Sequence, residues 1–405
     1  MTLPVYFKPT PSVKIRNNYF PGSETLGPDE MRISYVGSCP FPPRRNQAGT
    51  AIMVELGNGD RFFFDFGPGC LRNIISLGVP VQEVNDIFLS HLHVDHYHDI
   101  SYLRPFRAWA GGYTPLRVHG PSGRTEKLGL QGMIDGMDQM LQWHLEAFDV
   151  FPIGDGYEVE VNEFDWKDEN GICYDKNGVT VRHWRRSHAK DGASAYRLDW
   201  NGLSFVWTGD GRPDELSMKY GAGVDVFVTE CQTDYARLNR LKYGFPEWLT
   251  NYTIDTHHTP HYAVGYMMNE VNPRIGMVTH MEYDEPTVNE SIAGIRAHWD
   301  GLFAFGAPDG VIVNVTKEEI WVRNAAMPDD TGMSAPDLAT LLGADESGKI
   351  VMPSPRIARE EQQEQLTRDL EIDPEKYYPE DVYRELLIKL PEPLEMQLPV
   401  KKKED

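Results

Sequence analysis

The stretch FLSHLHVDHYHDI, residues 88–100, decides the fold because it places four of the thirteen histidines of the chain within eight positions. The histidines follow VNDIFLS, residues 84–90, an apolar run that is typical of a buried strand. An H-x-H-x-D-H array is formed by His91, His93, Asp95 and His96. Imidazole nitrogen and carboxylate oxygen are donors that zinc accepts, and a catalytic zinc site keeps one position open for water. The stretch therefore predicts a metal site at the end of a strand.

The density of the array favours two metal ions over one. A His-x-His pair on a loop can bind one ion, and the adjacent Asp–His pair can reach a second. Two metals about 3.5–4 Å apart that share a water make a strong hydroxide nucleophile at neutral pH. Further ligands are then expected at other strand ends. Three candidates end or follow apolar runs of this kind: His188, Asp210 and His280.

Composition bounds the classes of function. The chain has 405 residues, of which 40% are hydrophobic and 25% charged, as is typical of a soluble globular protein. The net charge of −22 argues against nucleic acid and anionic membranes as partners and leaves a small-molecule substrate. Four widely spaced cysteines predict neither disulfides nor a zinc knuckle. No leader peptide is visible, which favours a cytoplasmic location, although a chain trimmed of its leader would look the same.

Strands alternate with helical patterns along most of the chain, which predicts an α/β protein. The segment 50–69 reads as a β-hairpin, 124–148 as a helix, 157–207 as β-rich and 310–322 as a closing hairpin. The predicted division is an extended lead-in (1–30), a catalytic domain (31–325) and a C-terminal extension (326–405). Apolar residues in the extension suggest the arm of a homodimer, and packing within the chain would explain them nearly as well.

The order of the motifs resembles the metallo-β-lactamase-fold hydrolases, and among them the branch of ribonuclease Z and the related arylsulfatases and phosphodiesterases. The resemblance covers about residues 32–320. The motifs that carry it are DFGPG, HLHVDH, VHGPSG, SHAKDGASAYRL, WTGD, TEC, HHTPHYA and VTH. The resemblance implies a four-layer αβ/βα sandwich with two mixed sheets and a hydrolytic reaction at a metal pair.

The resemblance also implies how the ligands divide between two divalent metal ions. One ion would be held by His91, His93 and His188. The other would be held by Asp95, His96 and His280, with Asp210 bridging the two. Zinc is the default metal for these donors, and manganese or iron would also suit them. Asp65 of DFGPG reads as a residue that supports the site and is not itself a ligand.

A proton donor is implied as well. HHTPHYA resembles the H-S-T-x-E-x-A segment of the family, which aligns the leaving-group histidine with His257 and its supporting glutamate with Glu230. With Asp95, these form the expected catalytic set. His258 and His261 compete with His257, because spacing alone does not separate three histidines in one segment.

Four residues are candidates for substrate contact. FPPRRNQAG resembles a ribonuclease Z loop, which gives Arg45 and Asn46, although turn chemistry explains this pair equally well. Arg186 would belong to a cationic lip, or more simply to a solvated edge strand. Trp248 would belong to an aromatic lid together with Tyr243, Phe245 and Tyr252, with ordinary packing as the simpler alternative.

The substrate expected first is a small organic phosphodiester or sulfate ester. Asp99 and His261 depart from the ribonuclease Z pattern, and the chain has no glycine- and lysine-rich arm for transfer RNA. Alternatives on the same fold are hydrolytic dehalogenation of an activated haloaromatic ring, as in chlorothalonil-type dehalogenases, and lactone hydrolysis. A non-catalytic binding protein stabilised by metal is the alternative from another class, and the presence of all seven ligands argues against it.

Overall fold

Two β-sheets lie at the centre of the computed structural model, which describes residues 17–147, 153–233 and 244–327. The strands in chain order are β1 Asn18–Tyr19, β2 Met31–Gly37, β3 Ala51–Leu56, β4 Arg61–Phe64, β5 Asp86–Phe88, β6 Leu116–Pro121, β7 Val159–Phe164, β8 Glu169–Lys176, β9 Val179–Arg185, β10 Ser194–Trp200, β11 Leu203–Trp207, β12 Val226–Glu230, β13 Ile275–Thr279, β14 Phe303–Phe305, β15 Val311–Val315 and β16 Ile320–Ala325. The first sheet has the order β1-β16-β15-β2-β3-β4-β5-β6-β7, and the second has the order β14-β13-β12-β11-β10-β9-β8.

Helices cover the outer faces of both sheets. Within the described residues they are α1 Cys70–Ser76, α2 Val94–Tyr97, α3 Ile100–Trp109, α4 Leu130–Ala147, α5 Glu215–Gly221, α6 Glu247–His257, α7 His261–Val271 and α8 Glu285–Arg296, with 3-10 turns at Val81–Glu83 and Glu126–Leu128. Of these described helices, none combines the length and the apolar composition that crossing a bilayer requires.

Three apolar clusters of the described residues fill the spaces between neighbouring layers. The first joins inward side chains of both sheets, such as Phe64 of β4 and Phe205 of β11. The second packs the outer face of the first sheet against α1, α3 and α4, and the third packs the outer face of the second sheet against α5, α7 and α8. Central strands such as β2 and β12 are buried along their whole length because both of their faces are covered. The predicted four-layer αβ/βα sandwich is confirmed.

Most predicted elements are present. β3 and β4 form the expected antiparallel hairpin, and β15 and β16 form the closing one. α3 is absent from the predictions, and Pro105 in its interior conceals the helical pattern, because proline normally ends a helix. In the described part of the lead-in, residues 17–30, β1 pairs with β16 and Tyr19 is buried. Residues 328–405, and with them nearly all of the predicted extension, lie outside the described residues.

Strand direction brings the candidate ligands together. β11, β12 and β13 run parallel, so their carboxyl ends share one edge of the second sheet. β9 runs the same way, because β10 is antiparallel to both β9 and β11. The ends of β4 and β5 are likewise parallel neighbours in the first sheet. The hydroxyl of Tyr196 donates to the Leu89 carbonyl at 2.6 Å, and the Ser194 N–H donates to the Ser90 carbonyl at 2.8 Å, which joins the two sheets at this edge.

The inter-sheet core yields a stability prediction. The Phe64 ring lies 5.2 Å from the Phe88 ring and 5.1 Å from the Phe205 ring. Phe64→Ala should lower the free energy of unfolding by about 3–5 kcal/mol, because it removes a buried ring and leaves a cavity. Met140→Ala on the exposed face of α4 is the control and should change it by less than about 0.5 kcal/mol. Guanidinium unfolding followed by tryptophan fluorescence measures both, and equal losses would contradict the layer assignment.

Candidate metal centre

Three histidine nitrogens converge at the end of β5. His93 Nδ1 lies 2.9 Å from His91 Nε2 and 3.1 Å from His188 Nε2. His91 and His93 belong to the loop after β5, whereas His188 follows β9 of the other sheet. Three lone pairs that point to one place are a geometry for binding a cation. These are the residues that the sequence analysis assigns to the first metal.

The rings of this group are oriented by their second nitrogens. His91 Nδ1 lies 3.0 Å from Ser90 Oγ, and His188 Nδ1 donates to the His257 carbonyl at 2.7 Å. A hydrogen bond at one ring nitrogen sets which nitrogen is left for a metal. Burial, and then the neighbouring His96, hold the pKa of His91 well below its usual value. Burial, and then His258, lower the pKa of His188 to about 3. These rings are therefore neutral, as metal ligands must be.

A second group lies beside the first. Asp95 Oδ2 is 3.5 Å from Nε2 of both His96 and His280. Asp210 Oδ2 is 3.3 Å from each of the same two nitrogens and 3.9 Å from His91 Nε2. Asp210 therefore lies between the two groups, in the place that the sequence analysis assigns to a bridging ligand.

The residues fit a pair of divalent cations. His96 Nε2, His280 Nε2 and Asp210 Oδ1 are buried and have no hydrogen-bond partner among the described residues. A buried polar atom without a partner costs about 1–3 kcal/mol. Nitrogen and carboxylate donors bind zinc and related divalent ions, so a metal would satisfy all three atoms at once.

The protonation of the second group shows where positive charge is needed. Burial would lower the pKa of His96, but the Asp210 and Asp95 carboxylates outweigh it and raise that pKa well above normal. Burial is likewise outweighed at His280, where Asp210 and the other carboxylates raise the pKa to about 10. Both shifts have the same cause, which is that the buried carboxylates favour positive charge at this place.

Asp65 supports this group without being part of it. It is fully buried just after β4, and its Oδ2 lies 3.0 Å from His96 Nδ1. It also accepts hydrogen bonds from the Ser90 N–H at 2.7 Å, the Ser90 hydroxyl at 2.8 Å and Trp207 Nε1 at 2.8 Å. Its φ of 60° is strained for a residue other than glycine, and such strain clusters at functional sites. Asp65 thus turns His96 so that Nε2 faces Asp210.

Glu230 contacts a different histidine from the one that the resemblance implies. Glu230 Oε2 lies 2.7 Å from Nδ1 of His258, one of the two competing histidines, and the expected contact with His257 is not the one formed. His257 is the last residue of α6, where its carbonyl accepts from His188, and burial lowers its pKa to about 4. His261 Nδ1 lies 3.3 Å from the Gln232 carbonyl. The helix end between His257 and His258 makes this choice, which the sequence pattern leaves open.

The pKa values of the pair are shifted in opposite directions. Burial would lower the pKa of His258, but the Glu230 carboxylate raises it. Burial would raise the pKa of Glu230, but His258 lowers it to about 2. The pair is therefore a carboxylate that holds a protonated imidazole, beside the ligands Asp210 and His280.

Of the four residues predicted to contact the substrate, three are exposed and one is buried. Arg186 is fully buried and forms an ion pair with Asp214, so it cannot be part of a cationic lip. Arg45 and Asn46 are exposed on the loop between β2 and β3. Trp248 lies on α6 and is 70% exposed. Tyr243, the first residue of the predicted lid, lies outside the described residues.

Gln232 is a supporting residue that the motifs do not reveal. Its side-chain amide donates to the His280 carbonyl at 2.9 Å and lies 3.3 Å from Glu230 Oε2. It thus ties the ligand His280 to the proton-donor pair. Its position at the end of β12, among other strand ends that carry ligands, was the available signal.

Comparison with known proteins identifies the family of the chain. The model of a family described as Anti-Pycsar protein Apyc1 matches residues 31–282, which include all seven predicted ligands. The chain belongs to this family. A ribonuclease Z of Mycobacterium avium (strain 104) is 27% identical over 209 residues, which cover 49% of this chain and 70% of the relative. A ribonuclease Z of Picrophilus torridus is 24% identical over 232 residues, covering 50% and 74%.

A solved structure matches the fold. It is the metallo-β-lactamase fold protein YhfI from Bacillus subtilis, with a TM-score of 0.52 and 16% identity over 71% of this chain and 100% of that one. This chain of the Apyc1 family therefore has the metallo-β-lactamase fold. Together with the ribonuclease Z relatives, this identifies a metal-dependent hydrolase of the metallo-β-lactamase-fold superfamily, in the ribonuclease Z branch.

The role of Asp65 can be tested on metal binding. Asp65→Asn removes the carboxylate that orients His96, and changes of this kind typically weaken metal affinity by about 10–100-fold. We expect a loss of that size in zinc titrated against a competing chelator by calorimetry. Asp199→Asn, which alters a half-exposed carboxylate paired with Arg197, is the matched control and should leave the affinity unchanged. Equal affinity in a folded Asp65→Asn protein would remove His96 from the ligand set.

Proposed function

We propose that the protein hydrolyses a phosphodiester bond of a small organic substrate. The observation that carries this proposal is the arrangement of two donor groups about Asp210, with the Glu230–His258 pair alongside. Two metals arranged in this way are a recurring solution for displacement at phosphorus, because each can stabilise one of the oxygens that gain charge. The family relationship also favours an enzyme over a metal-stabilised binding protein.

We assign two divalent ions, with zinc as the first choice. The ligands would be His91, His93 and His188 for one ion, Asp95, His96 and His280 for the other, and Asp210 for both. When bound, such ions activate water at neutral pH and stabilise negative charge on the reacting group. The side chains of the protein exclude bulk water from the buried side of the site and hold the ligand atoms in place.

His258 is proposed as the group that protonates the leaving oxygen. Its Nδ1 is held by Glu230, which leaves Nε2 for the substrate. The buried carboxylate stabilises the imidazolium form, so that the proton is available as the ester bond breaks. A positioned general acid typically contributes about 10²–10⁴-fold to the rate.

The organic part of the substrate is proposed to lie against α6. Trp248 and Tyr252 are one helical turn apart and both exposed. The Tyr252 ring is 5.6 Å from the His257 ring, and the His257 carbonyl holds His188, so this aromatic face is continuous with the metal centre. Large exposed aromatic side chains beside a polar site typically bind an apolar or planar group.

Arg45 and Asn46 are proposed to contact the anionic part of the substrate. Their loop is anchored beside the second metal group, since Gln47 Nε2 donates to the Met281 carbonyl at 2.9 Å. Met281 directly follows His280. An exposed arginine at this position would attract an anion toward an otherwise acidic protein.

An RNA phosphodiester is a second candidate substrate. The relatives named ribonuclease Z favour it, and the acidic net charge is an average that does not exclude a local contact with RNA. A sulfate ester remains within reach of the same donors, because it presents a comparable tetrahedral anion.

Turnover of bis(p-nitrophenyl) phosphate by zinc- and manganese-loaded protein tests the proposal. We expect metal-dependent release of p-nitrophenolate, which falls to background in His93→Ala because a central ligand is lost. His98→Ala is the control, since His98 lies in the same stretch with an exposed side chain, and it should retain the wild-type rate. A metal-loaded protein that cleaves neither this diester nor single-stranded RNA would refute the proposal. A much higher kcat/KM on RNA would select the second candidate.

A separate prediction concerns the proton donor. His258→Ala should lower kcat on diphenyl phosphate by about 10²-fold or more, because phenolate is a poor leaving group that needs a proton. The loss on bis(p-nitrophenyl) phosphate should be smaller, since p-nitrophenolate leaves without one. His257→Ala is the comparison and should not show this dependence on the leaving group. If His257→Ala shows it and His258→Ala does not, the assignment of the donor is wrong.

A further inference from the structure

Arg186 lies in a buried polar network behind the metal centre. Arg186 lies in the chain between the end of β9 and the ligand His188, and its guanidinium is completely shielded from water. Nη1 forms an ion pair with Asp214 and donates to Ser217 Oγ at 3.2 Å. Asp214 also caps α5, because its Oδ1 accepts from the Ser217 N–H at 2.7 Å. One end of the guanidinium is therefore fixed to the start of a helix.

The other end of Arg186 reaches the residue after a metal ligand. Nη2 donates to the Gly211 carbonyl at 3.0 Å, and the Thr259 hydroxyl donates to the same carbonyl at 2.6 Å. Gly211 directly follows Asp210. With its carbonyl held by two donors on one side, the loop presents the Gly211 N–H on the other side, where it donates to Glu230 Oε1 at 2.7 Å.

The chain of contacts ends at the proposed proton donor. Glu230 accepts from Gly211 at Oε1 and contacts His258 at Oε2. The Thr259 N–H is a second donor to Oε1, at 3.2 Å. The hydrogen bonds from Arg186 to Gly211 and from Gly211 to Glu230 are both buried. Because Gly211 joins them through its own backbone, a shift of the guanidinium would be transmitted to the carboxylate.

We infer that Arg186 is a positioning residue for proton donation: by holding the Gly211 carbonyl it fixes the backbone of Gly211, whose N–H orients Glu230 and, through Glu230, His258. The inference rests on the proposed function of that pair. Because Arg186 is buried, it does not contact the substrate, and its role differs from that of the cationic lip expected from the sequence.

A charged arginine at this place is costly without such a role. The side chain of Arg186 is fully buried, and its charge is compensated by the ion pair with Asp214. Nε is buried and has no hydrogen-bond partner among the described residues. Removing one partner of a buried ion pair leaves the other uncompensated, so the conservative variant is the informative one.

Arg107 offers a matched control. It is also a fully buried arginine, and it donates to backbone carbonyls of Val84, Gly112 and Thr114. None of these acceptors belongs to the metal centre. Arg107→Lys therefore reports the general effect of shortening a buried guanidinium fork to a single ammonium group.

The test compares Arg186→Lys with wild type on two diesters, at equal bound zinc. Lysine can retain the partner Asp214 or the Gly211 carbonyl but cannot bridge both. We expect kcat on diphenyl phosphate to fall by about 10-fold or more, toward the loss in His258→Ala, and kcat on bis(p-nitrophenyl) phosphate to fall much less. Arg186→Lys combined with His258→Ala should lose no more than His258→Ala alone, since both act on one proton transfer.

A second readout does not depend on turnover. The Gly211 amide should exchange its hydrogen faster in Arg186→Lys than in wild type, because the backbone of Gly211 loses one of the two donors that hold its carbonyl. Arg107→Lys should leave that exchange unchanged. Equal losses on both diesters, additive effects in the double variant, or unchanged Gly211 exchange would each overturn the positioning role.

Failure of the proposed function would be recognised separately. If wild-type protein cleaves neither diester, the phosphodiesterase proposal fails first, and Gly211 exchange still reports whether Arg186 holds the peptide. If wild-type protein cleaves both diesters and Arg186→Lys follows the pattern of Arg107→Lys, the function stands and the positioning role is refuted. Arg186→Met serves as a second variant that removes both links at once.

Discussion

The buried carboxylate of Asp210 is the constraint on which the centre depends. Its Oδ2 lies within 3.3–3.9 Å of nitrogens from three histidines, which follow β5 of one sheet and β13 of the other. A carboxylate with such neighbours, out of contact with water, is stable only where positive charge is supplied. Every other feature of the site either delivers a donor to this point or fixes the orientation of one.

The donors around Asp210 come from both sheets, and the two sheets are joined by hydrogen bonds at the edge where these donors lie. Asp65 directly follows β4 in the first sheet and accepts a hydrogen bond from Trp207 of β11 in the second. The same carboxylate lies 3.0 Å from His96 Nδ1. Tyr196 makes a similar link to Leu89 just before the histidine array. The inter-sheet aromatic core sets the spacing of the sheets, and these polar links set the alignment of their ends. Precise placement of ligands on separate elements therefore follows from ordinary packing.

The two ligand groups differ in charge, although they are in contact. The group of His91 and His188 consists of buried neutral imidazoles, whereas His96 and His280 lie among carboxylates that favour their protonated forms. Behind the second group, Glu230 and His258 repeat the same pairing of a buried carboxylate with an imidazole. In the network behind this pair, Asp214 is a buried carboxylate that is compensated by the guanidinium of Arg186. Each of these buried carboxylates therefore has a positively charged or protonatable side chain beside it.

The sequence by itself determined the α/β layers and the seven candidate ligands, because hydrophobic periodicity and the spacing of histidine and aspartate are local properties of the chain. The resemblance of its motifs to a known family also indicated the importance of Glu230. It could not choose between His257 and His258, since that choice depends on where α6 ends relative to a strand of the second sheet. Nor could it place Arg186: alternation along a strand does not reveal which face α5 covers. Those two decisions were made by tertiary packing, because they depend on contacts between elements far apart in sequence.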